Sequence, residues 1–173
     1  MTPRIGDSFP QFALVTSTGR DLTLADLAGR AAIFFFYPKA DTPGCTREAL
    51  AFTALSDRFA ETGTALIGVS RDAPEALERF AQKHALRVTL ASDTGSDPLS
   101  DRLGIWREKT NYGRRYMGMV RSTYLVDADA NVRRIWSPVR VPGHAEAVLE
   151  AAQQLATGGI QHGEALSATP ADQ

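Results

Sequence analysis

One uninterrupted apolar run early in the chain constrains the fold more than any other segment. The run covers residues 31–37, includes three consecutive phenylalanines and is closed by Pro38. A strand buried on both faces has this continuous apolar character, whereas a half-buried strand alternates apolar and polar residues. The run is also short and aromatic, which favours a strand over a buried helix. It therefore predicts a central strand in a sheet that is covered on both faces.

The segments on either side of this run alternate between strand and helix patterns. Upstream, residues 12–15 and 21–24 flank a turn and predict a short hairpin or an extended pair. Downstream, apolar runs predict strands at 65–69, 88–91, 123–126 and 132–136. Helical spacing and capping signals predict helices at 48–61, from Asp72 onward, at 98–103 and at 143–155. This order predicts an α/β fold, with a central mixed β-sheet flanked by helices.

Two segments lack a periodic pattern. Residues 106–118 are polar and contain glycine, which predicts a long functional loop. From residue 157 the composition shifts to Gly, Ser, Thr, Pro and Gln, which predicts a poorly ordered C-terminal tail over 157–173. The 173 residues then divide into one domain over 1–156 and this tail.

The charge balance and the first residues exclude several classes of partner. The chain has 19 Lys and Arg against 20 Asp and Glu, a net charge of −1, which argues against a general nucleic-acid binder. The apolar run with its closing proline, residues 31–38, is too short to span a bilayer. The first seven residues contain no apolar signal core, so we expect a cytoplasmic protein that does not associate with membranes.

The single cysteine occupies a position that favours reactivity. Cys45 follows the buried strand and precedes a helical pattern, so it is predicted in the first turn of a helix at the carboxyl end of a central strand. The unpaired N–H groups and the helix dipole favour an anion there, and ligands of open α/β sheets gather at that edge. One cysteine excludes a disulfide framework and a multi-cysteine zinc site.

We expect neither a metal nor a cofactor. His84, His144 and His162 are scattered, and none forms a helical metal-binding pair. The glycines form no phosphate-binding loop. A Cys–His hydrolase would need a histidine placed against Cys45, and the sequence gives no positive reason for one.

The residues around Cys45 resemble those of a known family. Pro38, Thr42-Pro-Gly-Cys45 and Thr46 match the P-x-x-x-T-P-G-C-T signature of peroxiredoxins. More narrowly, the chain resembles the bacterioferritin comigratory protein, or peroxiredoxin Q, subfamily from about residue 6 to 149. The blocks that carry this likeness lie at 36–39, 68–72, 106–109, 112–113, 116–118, 121–127 and 143–146. The resemblance implies a thioredoxin-like fold, and reduction of hydrogen peroxide and organic hydroperoxides with electrons from a dithiol protein such as thioredoxin.

The resemblance also implies roles for individual residues. Cys45 matches the peroxidatic cysteine, whose thiolate attacks a peroxide oxygen and becomes a sulfenic acid. Thr42 matches the active-site threonine that hydrogen-bonds peroxide and thiolate; alternatively it is a turn residue or helix N-cap. Pro38 matches the proline that shields the thiolate, and it also ends the strand. Arg121 matches the arginine that stabilises the thiolate and polarises the O–O bond. Glu48, one turn after Cys45, either orients Arg121 or is a first-turn acid favoured by the dipole.

The chain departs from this subfamily at one position. Many members carry a resolving cysteine five residues after the first, but residue 50 is Leu and no second cysteine exists. An intramolecular disulfide is therefore impossible, and an external thiol must resolve the sulfenic acid: thioredoxin, glutathione with glutaredoxin, or a small thiol. We expect Leu50 to pack on the core and to keep its helix formed.

The sequence leaves alternatives open for the function, the oligomeric state and the predicted loop. The same fold could serve a peroxide sensor or thiol-adduct binding protein that oxidises without turnover. A thioredoxin-type disulfide reductase would need Cys-x-x-Cys, but residue 48 is Glu. The chain is either a monomer or a homodimer. Four residues of the predicted loop either form an apolar collar around the active site or pack onto the core: Trp106, Tyr112, Tyr116 and Met117.

Overall fold

The computed structural model describes residues 2–158, which are organised around a seven-stranded sheet. The strands are β1 (Ala13–Thr16), β2 (Asp21–Thr23), β3 (Ala31–Phe36), β4 (Thr64–Ser70), β5 (Thr89–Ser92), β6 (Trp106–Asn111), β7 (Arg114–Met119), β8 (Ser122–Val126) and β9 (Val132–Trp136). The helices are α1 (Pro43–Ala54), α2 (Ser56–Glu61), α3 (Pro74–Lys83), α4 (Leu99–Arg102) and α5 (His144–Ala156), with a 3₁₀ helix at Leu24–Leu27.

The main sheet is mixed, as the element order predicts. Its strand order is β2-β1-β5-β4-β3-β8-β9. Strands β3, β4 and β5 are parallel to one another, and the remaining pairs in the sheet are antiparallel. The predicted α/β class and the predicted N-terminal hairpin, formed by β1 and β2, are both confirmed.

Strand β3 is the central strand that the apolar run predicts. It pairs with β4 on one side and with β8 on the other. Phe34 and Phe36 belong to the core on one face of the sheet, and Ile33, Phe35 and Tyr37 belong to the core on the other. Every one of these side chains is buried, so both faces of β3 are covered.

The two faces of the sheet are covered by different elements. One core contains apolar residues of α1, α2, α3 and α5, among them Phe52, Phe59, Phe80 and Val148. The other core is closed by the N-terminal segment, the 3₁₀ helix and α4. The active-site helix α1 therefore packs on the same face as α5.

The helix predicted at 48–61 is wrong in both its start and its continuity. Helix α1 begins at Pro43, whose missing N–H suits a first helical position. It ends at Ala54, and α2 starts at Ser56. Between them the Leu55 N–H bonds to Phe52 O, a tighter contact than in an α-helix, and the helix is interrupted there.

The loop predicted at 106–118 is also wrong, because β6 and β7 form an antiparallel ribbon apart from the main sheet. Tyr112 and Gly113 join the strands, with φ of 54° and 78°. Positive φ at both turn residues is what a type I′ hairpin turn requires. Most side chains of the ribbon are exposed, so the sequence has no buried face to produce an alternating pattern.

The C-terminal prediction falls largely outside the described residues. Thr157 and Gly158 form a turn after α5, and the remainder of the predicted tail at 157–173 lies beyond them. The domain boundary at residue 156 therefore stays a prediction. Within residues 2–158 no helix combines the length and the apolar character needed to cross a membrane.

Candidate active site

Cys45 lies in the first turn of α1, at the carboxyl end of β3. Pro43 is the first residue of the helix, so Cys45 is the third and faces the sheet. Its side chain is buried with Tyr37, Ala49 and Phe52. The predicted placement in a helical first turn is confirmed. Free N–H groups at this end of a helix favour a negative charge on the sulfur.

Arg121 approaches the sulfur from the neighbouring strand. It immediately precedes β8, whose first residue Ser122 pairs with Phe36 at the end of β3. This pairing carries the start of β8 to the edge of the sheet where α1 begins. Arg121 Nη2 lies 3.5 Å from Cys45 Sγ. Burial acts to lower the pKa of Arg121, but Cys45 and Glu48 hold it above its ordinary value, so the guanidinium stays charged.

Glu48 holds the other end of the same guanidinium. Its Oε1 accepts a hydrogen bond of 2.8 Å from Arg121 Nη1. The Glu48 side chain is 1% exposed, and its Oε2 has no hydrogen-bond partner among the described residues. Burial raises the pKa of Glu48 to about 7, although the hydrogen bond and charge of Arg121 act to lower it. Glu48 thus faces inward and contacts Arg121, as one of the two sequence-based interpretations expects.

Gly44 makes room for this arrangement. A Cβ at Gly44 would lie 3.1 Å from Arg121 Nη2, which is tighter than an ordinary contact. The sequence alone assigns Gly44 no role beyond its place in the T-P-G-C motif. The motif itself was the available signal, because a glycine beside the reactive residue often marks a close approach of another group.

Thr42 is at the N-cap position of α1, but its hydroxyl does not cap the helix. Its backbone carbonyl accepts from Thr46 N at 2.8 Å. The Thr42 hydroxyl instead donates to Lys39 O at 2.7 Å. With its proton engaged in this way, the hydroxyl oxygen keeps lone pairs that can accept a hydrogen bond from a substrate.

The loop that carries these residues is tied to α3. Asp41 Oδ2 accepts from Lys83 Nζ at 2.9 Å, and Asp41 Oδ1 lies 2.9 Å from His84 Nε2. These two partners hold the pKa of the Asp41 carboxyl below its usual range. Pro38 is exposed in the same loop. Its shielding role stays a prediction. Strand β3 ends at Phe36, two residues before Pro38, so the strand stops just ahead of the proline.

The ribbon brings a further cation to the site. Lys109, in β6, donates a hydrogen bond to the carbonyl oxygen of Met119. Burial and the charge of Arg121 lower the pKa of Lys109, while the Cys45 sulfur raises it. The contact with Met119 holds the Lys109 ammonium beside the segment that leads into Arg121. Lys109 belongs to the block 106–109 that carries part of the family likeness, but the sequence alone assigns it no role.

Of the four apolar residues for which the sequence left a collar or core packing open, only Trp106 packs against the core. Tyr112 is 97% exposed, and Tyr116 and Met117 are also exposed. Only Trp106 is partly buried, with the Arg71 guanidinium 3.8 Å above its ring.

Within residues 2–158 no group of three or more His, Cys, Asp or Glu side chains could hold a metal ion.

Leu50 does not have the environment expected of it. The sequence predicts that it packs on the core, but its side chain is 41% exposed. The inward stripe of α1 is formed by Cys45, Glu48, Ala49 and Phe52. A residue five positions after Cys45 is rotated by about 140° around the helix axis, so it falls off this stripe.

Comparison with known proteins agrees with this site. Residues 5–135 match the AhpC/TSA family, a span that contains Thr42, Cys45, Glu48 and Arg121. The chain belongs to the AhpC/TSA family. Peroxiredoxin Bcp of Escherichia coli is 36% identical over 146 residues, which make up 84% of this chain and 93% of that protein. Peroxiredoxin Bcp of Bacillus subtilis is 38% identical over 155 residues, covering 90% of this chain and 96% of that protein.

A solved structure of a related protein has the same fold. The bacterioferritin comigratory protein of Xanthomonas campestris superposes with a TM-score of 0.79 at 38% identity, over 84% of this chain and 92% of that chain. Its structures are described in connection with alkyl peroxide reduction and a trapped intermediate. The resemblance to the bacterioferritin comigratory protein and peroxiredoxin Q subfamily is confirmed, and so is the thioredoxin-like fold. With one cysteine, the chain is a member that lacks a resolving cysteine.

Proposed function

We propose that this protein is a thiol-dependent peroxidase that reduces hydrogen peroxide and organic hydroperoxides through Cys45. The observation that carries the proposal is the 3.5 Å contact between Arg121 Nη2 and Cys45 Sγ in the first turn of α1. A cation and a helix N-terminus at one sulfur favour the thiolate, which is the nucleophilic form.

The oxidation step uses groups that the site already holds. The Cys45 thiolate attacks one peroxide oxygen, an S–O bond forms and the O–O bond breaks. The leaving oxygen takes the electron pair, accepts a proton from solvent and departs as water or an alcohol, while the attacked oxygen keeps its proton and Cys45 becomes a sulfenic acid. Arg121 is positioned to stabilise the negative charge that develops on the peroxide oxygens. Thr42, whose proton is held by Lys39 O, would accept a hydrogen bond from the peroxide O–H.

Resolution of the sulfenic acid requires a thiol from outside the chain, because Cys45 is the only cysteine. We propose thioredoxin, glutathione with glutaredoxin, or a small thiol as the reductant. We place this chemistry in the cytoplasm, where the thioredoxin and glutathione systems keep thiols reduced. The alkyl peroxide reduction described for the Xanthomonas campestris protein supports organic hydroperoxides as substrates.

A steady-state assay tests this function. Purified protein is mixed with hydrogen peroxide and each candidate reductant in turn, and peroxide loss is followed over many equivalents. We expect multiple turnovers with at least one reductant, and none with Cys45→Ser, because serine is nearly isosteric but scarcely ionised near neutral pH. Turnover retained in Cys45→Ser would refute the proposal. Consumption of a single equivalent with every reductant would instead indicate a peroxide sensor.

A further inference from the structure

Two cations share the electrostatic environment of Cys45. Arg121 contacts the sulfur directly. Lys109 reaches in from the ribbon, and its ammonium is held by the carbonyl of Met119, two residues before Arg121. Its alkyl chain lies over Gly118, where a Cβ would come within 3.1 Å of Lys109 Cδ. The ammonium is therefore fixed at the end of β7, next to the two-residue connection to β8 that contains Arg121.

The carboxylates that accompany these cations already have partners. Glu48 binds Arg121 at 2.8 Å. Asp41 binds Lys83 and His84, both at 2.9 Å. On the ribbon itself, Glu108 lies 3.8 Å from Arg115.

Lys109 differs from the cations that pair with these carboxylates. Its ammonium bonds to a neutral carbonyl and forms no ion pair within residues 2–158. The proposed function requires the reduced sulfur to react as the thiolate, and a negative charge there acts on both Lys109 and Arg121. The thiolate is thus the negative charge that the two cations have in common.

Oxidation removes this shared anion. When the thiolate attacks peroxide, the negative charge leaves with the departing oxygen and the sulfur remains as a neutral S–OH group. Arg121 and Lys109 then face a sulfur without charge. Glu48 pairs with Arg121, whereas Lys109 has no carboxylate partner within residues 2–158. A partly buried site with a surplus of cations attracts an anion.

We propose that the oxidised site selects a resolving thiol that carries an additional negative charge, such as a carboxylate or a sulfonate, and that Lys109 binds this charge. The inference rests on the proposed function, because it concerns the second half of the same cycle. It identifies the chemical class of the co-substrate: a small anionic thiol.

The resolving step balances without a further reactant. The thiolate of the small molecule attacks the Cys45 sulfur, an S–S bond forms and the S–O bond breaks. The hydroxide that leaves takes a proton from solvent and becomes water. A second thiolate then attacks the small-molecule sulfur of the mixed disulfide, which releases the Cys45 thiolate and the oxidised small molecule.

Three small thiols test the inference: 2-mercaptoethanesulfonate (anionic), 2-mercaptoethanol (neutral) and cysteamine (cationic). The full chain is oxidised with one equivalent of hydrogen peroxide, and formation of each mixed disulfide is followed by mass spectrometry, with rates expressed per thiolate. At low salt we expect the anionic thiol to react about 5- to 10-fold faster than the neutral one, and cysteamine to be slowest. Salt should reduce the preference, because it screens the cations.

Matched variants assign the effect to Lys109. Lys109→Met should bring the three rates together, whereas Lys109→Arg should keep the preference. Arg114→Met removes the same charge from the exposed tip of the ribbon and should also keep it. Equal rates for all three thiols in the unchanged protein would overturn the inference while leaving the peroxidase intact. A preference that survives Lys109→Met would overturn the role of Lys109. Failure of Cys45 to oxidise at all would instead refute the proposed function.

Discussion

The Glu48 carboxylate accepts a 2.8 Å hydrogen bond from Arg121 although its side chain is 1% exposed. The other amino nitrogen of the same guanidinium lies 3.5 Å from Cys45 Sγ. Arg121 is therefore held between two groups on one face of α1 that compete for its charge. Burial raises the pKa of Glu48 to about 7, against the influence of Arg121. The negative charge with which Glu48 competes for Arg121 therefore changes near neutral pH.

Removal of the Arg121 cation should slow the reaction of Cys45 with peroxide. We expect Arg121→Met to lower the rate constant by about 10²-fold, because a preorganised donor at the developing charge is lost. An ultraviolet titration of the thiolate should also move to higher pH. The control is Arg87→Met, because Arg87 forms an exposed ion pair with Asp57 at the opposite edge of the sheet. An unchanged titration in Arg121→Met would show that Arg121 does not stabilise the thiolate.

Glu48 should make stability fall as pH rises. Its folded pKa of about 7 lies above the ordinary value of 4.5, so the native state binds more protons than the unfolded state between these values. The resulting stabilisation is fully present below the unfolded pKa and is lost as pH rises through the folded one. Relative to Glu48→Gln, the unchanged protein should therefore lose up to about 3 kcal/mol of unfolding free energy between about pH 5 and pH 8.

Denaturant titrations of both proteins across this pH range measure the difference. The comparison must be made between variants, because His144 titrates with the opposite sign. Burial, with a contribution from Arg121, lowers the pKa of His144 from 6.5 to about 4. The contribution of His144 therefore makes stability fall as the pH drops below 6.5. The His144 effect cancels in the difference. Glu108→Gln, at an exposed position of the ribbon, serves as the control. A difference that does not vary with pH would contradict the buried, titrating Glu48.

Gly44 should separate activity from stability. In Gly44→Ala the new Cβ lies 3.1 Å from Arg121 Nη2, so the guanidinium must move by a few tenths of an ångström. We expect the peroxide reaction to slow several-fold, because positioning of the reacting groups controls the rate. Stability should stay the same or rise by up to about 1 kcal/mol, because alanine is the better helix former.

The control for this change is Gly95→Ala, because no atom lies within 4 Å of a Cβ at Gly95. Peroxide kinetics and thermal unfolding are measured on both variants. Equal rates in Gly44→Ala and the unchanged protein would show that Arg121 tolerates the displacement.

The elements that could be predicted from the sequence are those whose burial leaves a local pattern. Burial on both faces produces the continuous apolar run of β3, and Pro74 marks the start of α3. The ribbon of β6 and β7 has no buried face along most of its length, so its residues need not alternate. Gly113, in the turn, is the one residue whose type favours a hairpin, because glycine readily adopts positive φ.

The site was predictable to a different degree at each residue. The first-turn position of Cys45 follows from local order in the chain. The approach of Arg121 depends on the pairing of Phe36 with Ser122, which no local pattern encodes, so it came from the family resemblance. Leu50 was misplaced because apolar residues are common on protein surfaces, and an apolar side chain alone does not predict burial.

A cysteine at position 50 should report on the mobility of α1. The two Cα atoms are separated by about 7.5 Å along the helix axis alone, which exceeds the disulfide range of about 4.4–6.8 Å. A disulfide between Cys45 and residue 50 therefore requires the helix to unwind. Because Leu50 is 41% exposed, its replacement removes little packing, and the resistance to unwinding comes from the buried residues Ala49 and Phe52.

We expect peroxide-treated Leu50→Cys to form this disulfide slowly, at a rate set by helix opening. Arg47 is exposed on α1 between the two sulfurs, so a glycine there weakens the helix without disturbing the core. Adding Arg47→Gly should speed the disulfide about 5-fold, which corresponds to a helix-propensity loss of about 1 kcal/mol relative to alanine. Arg47→Ala is the matched control, because it removes the same charge and keeps the helix. Non-reducing peptide mapping over time measures the rates. Equal rates in the glycine and alanine variants would show that unwinding does not limit the reaction, and no disulfide in either would show that α1 stays closed around Cys45, so that an external thiol is the only route to resolution.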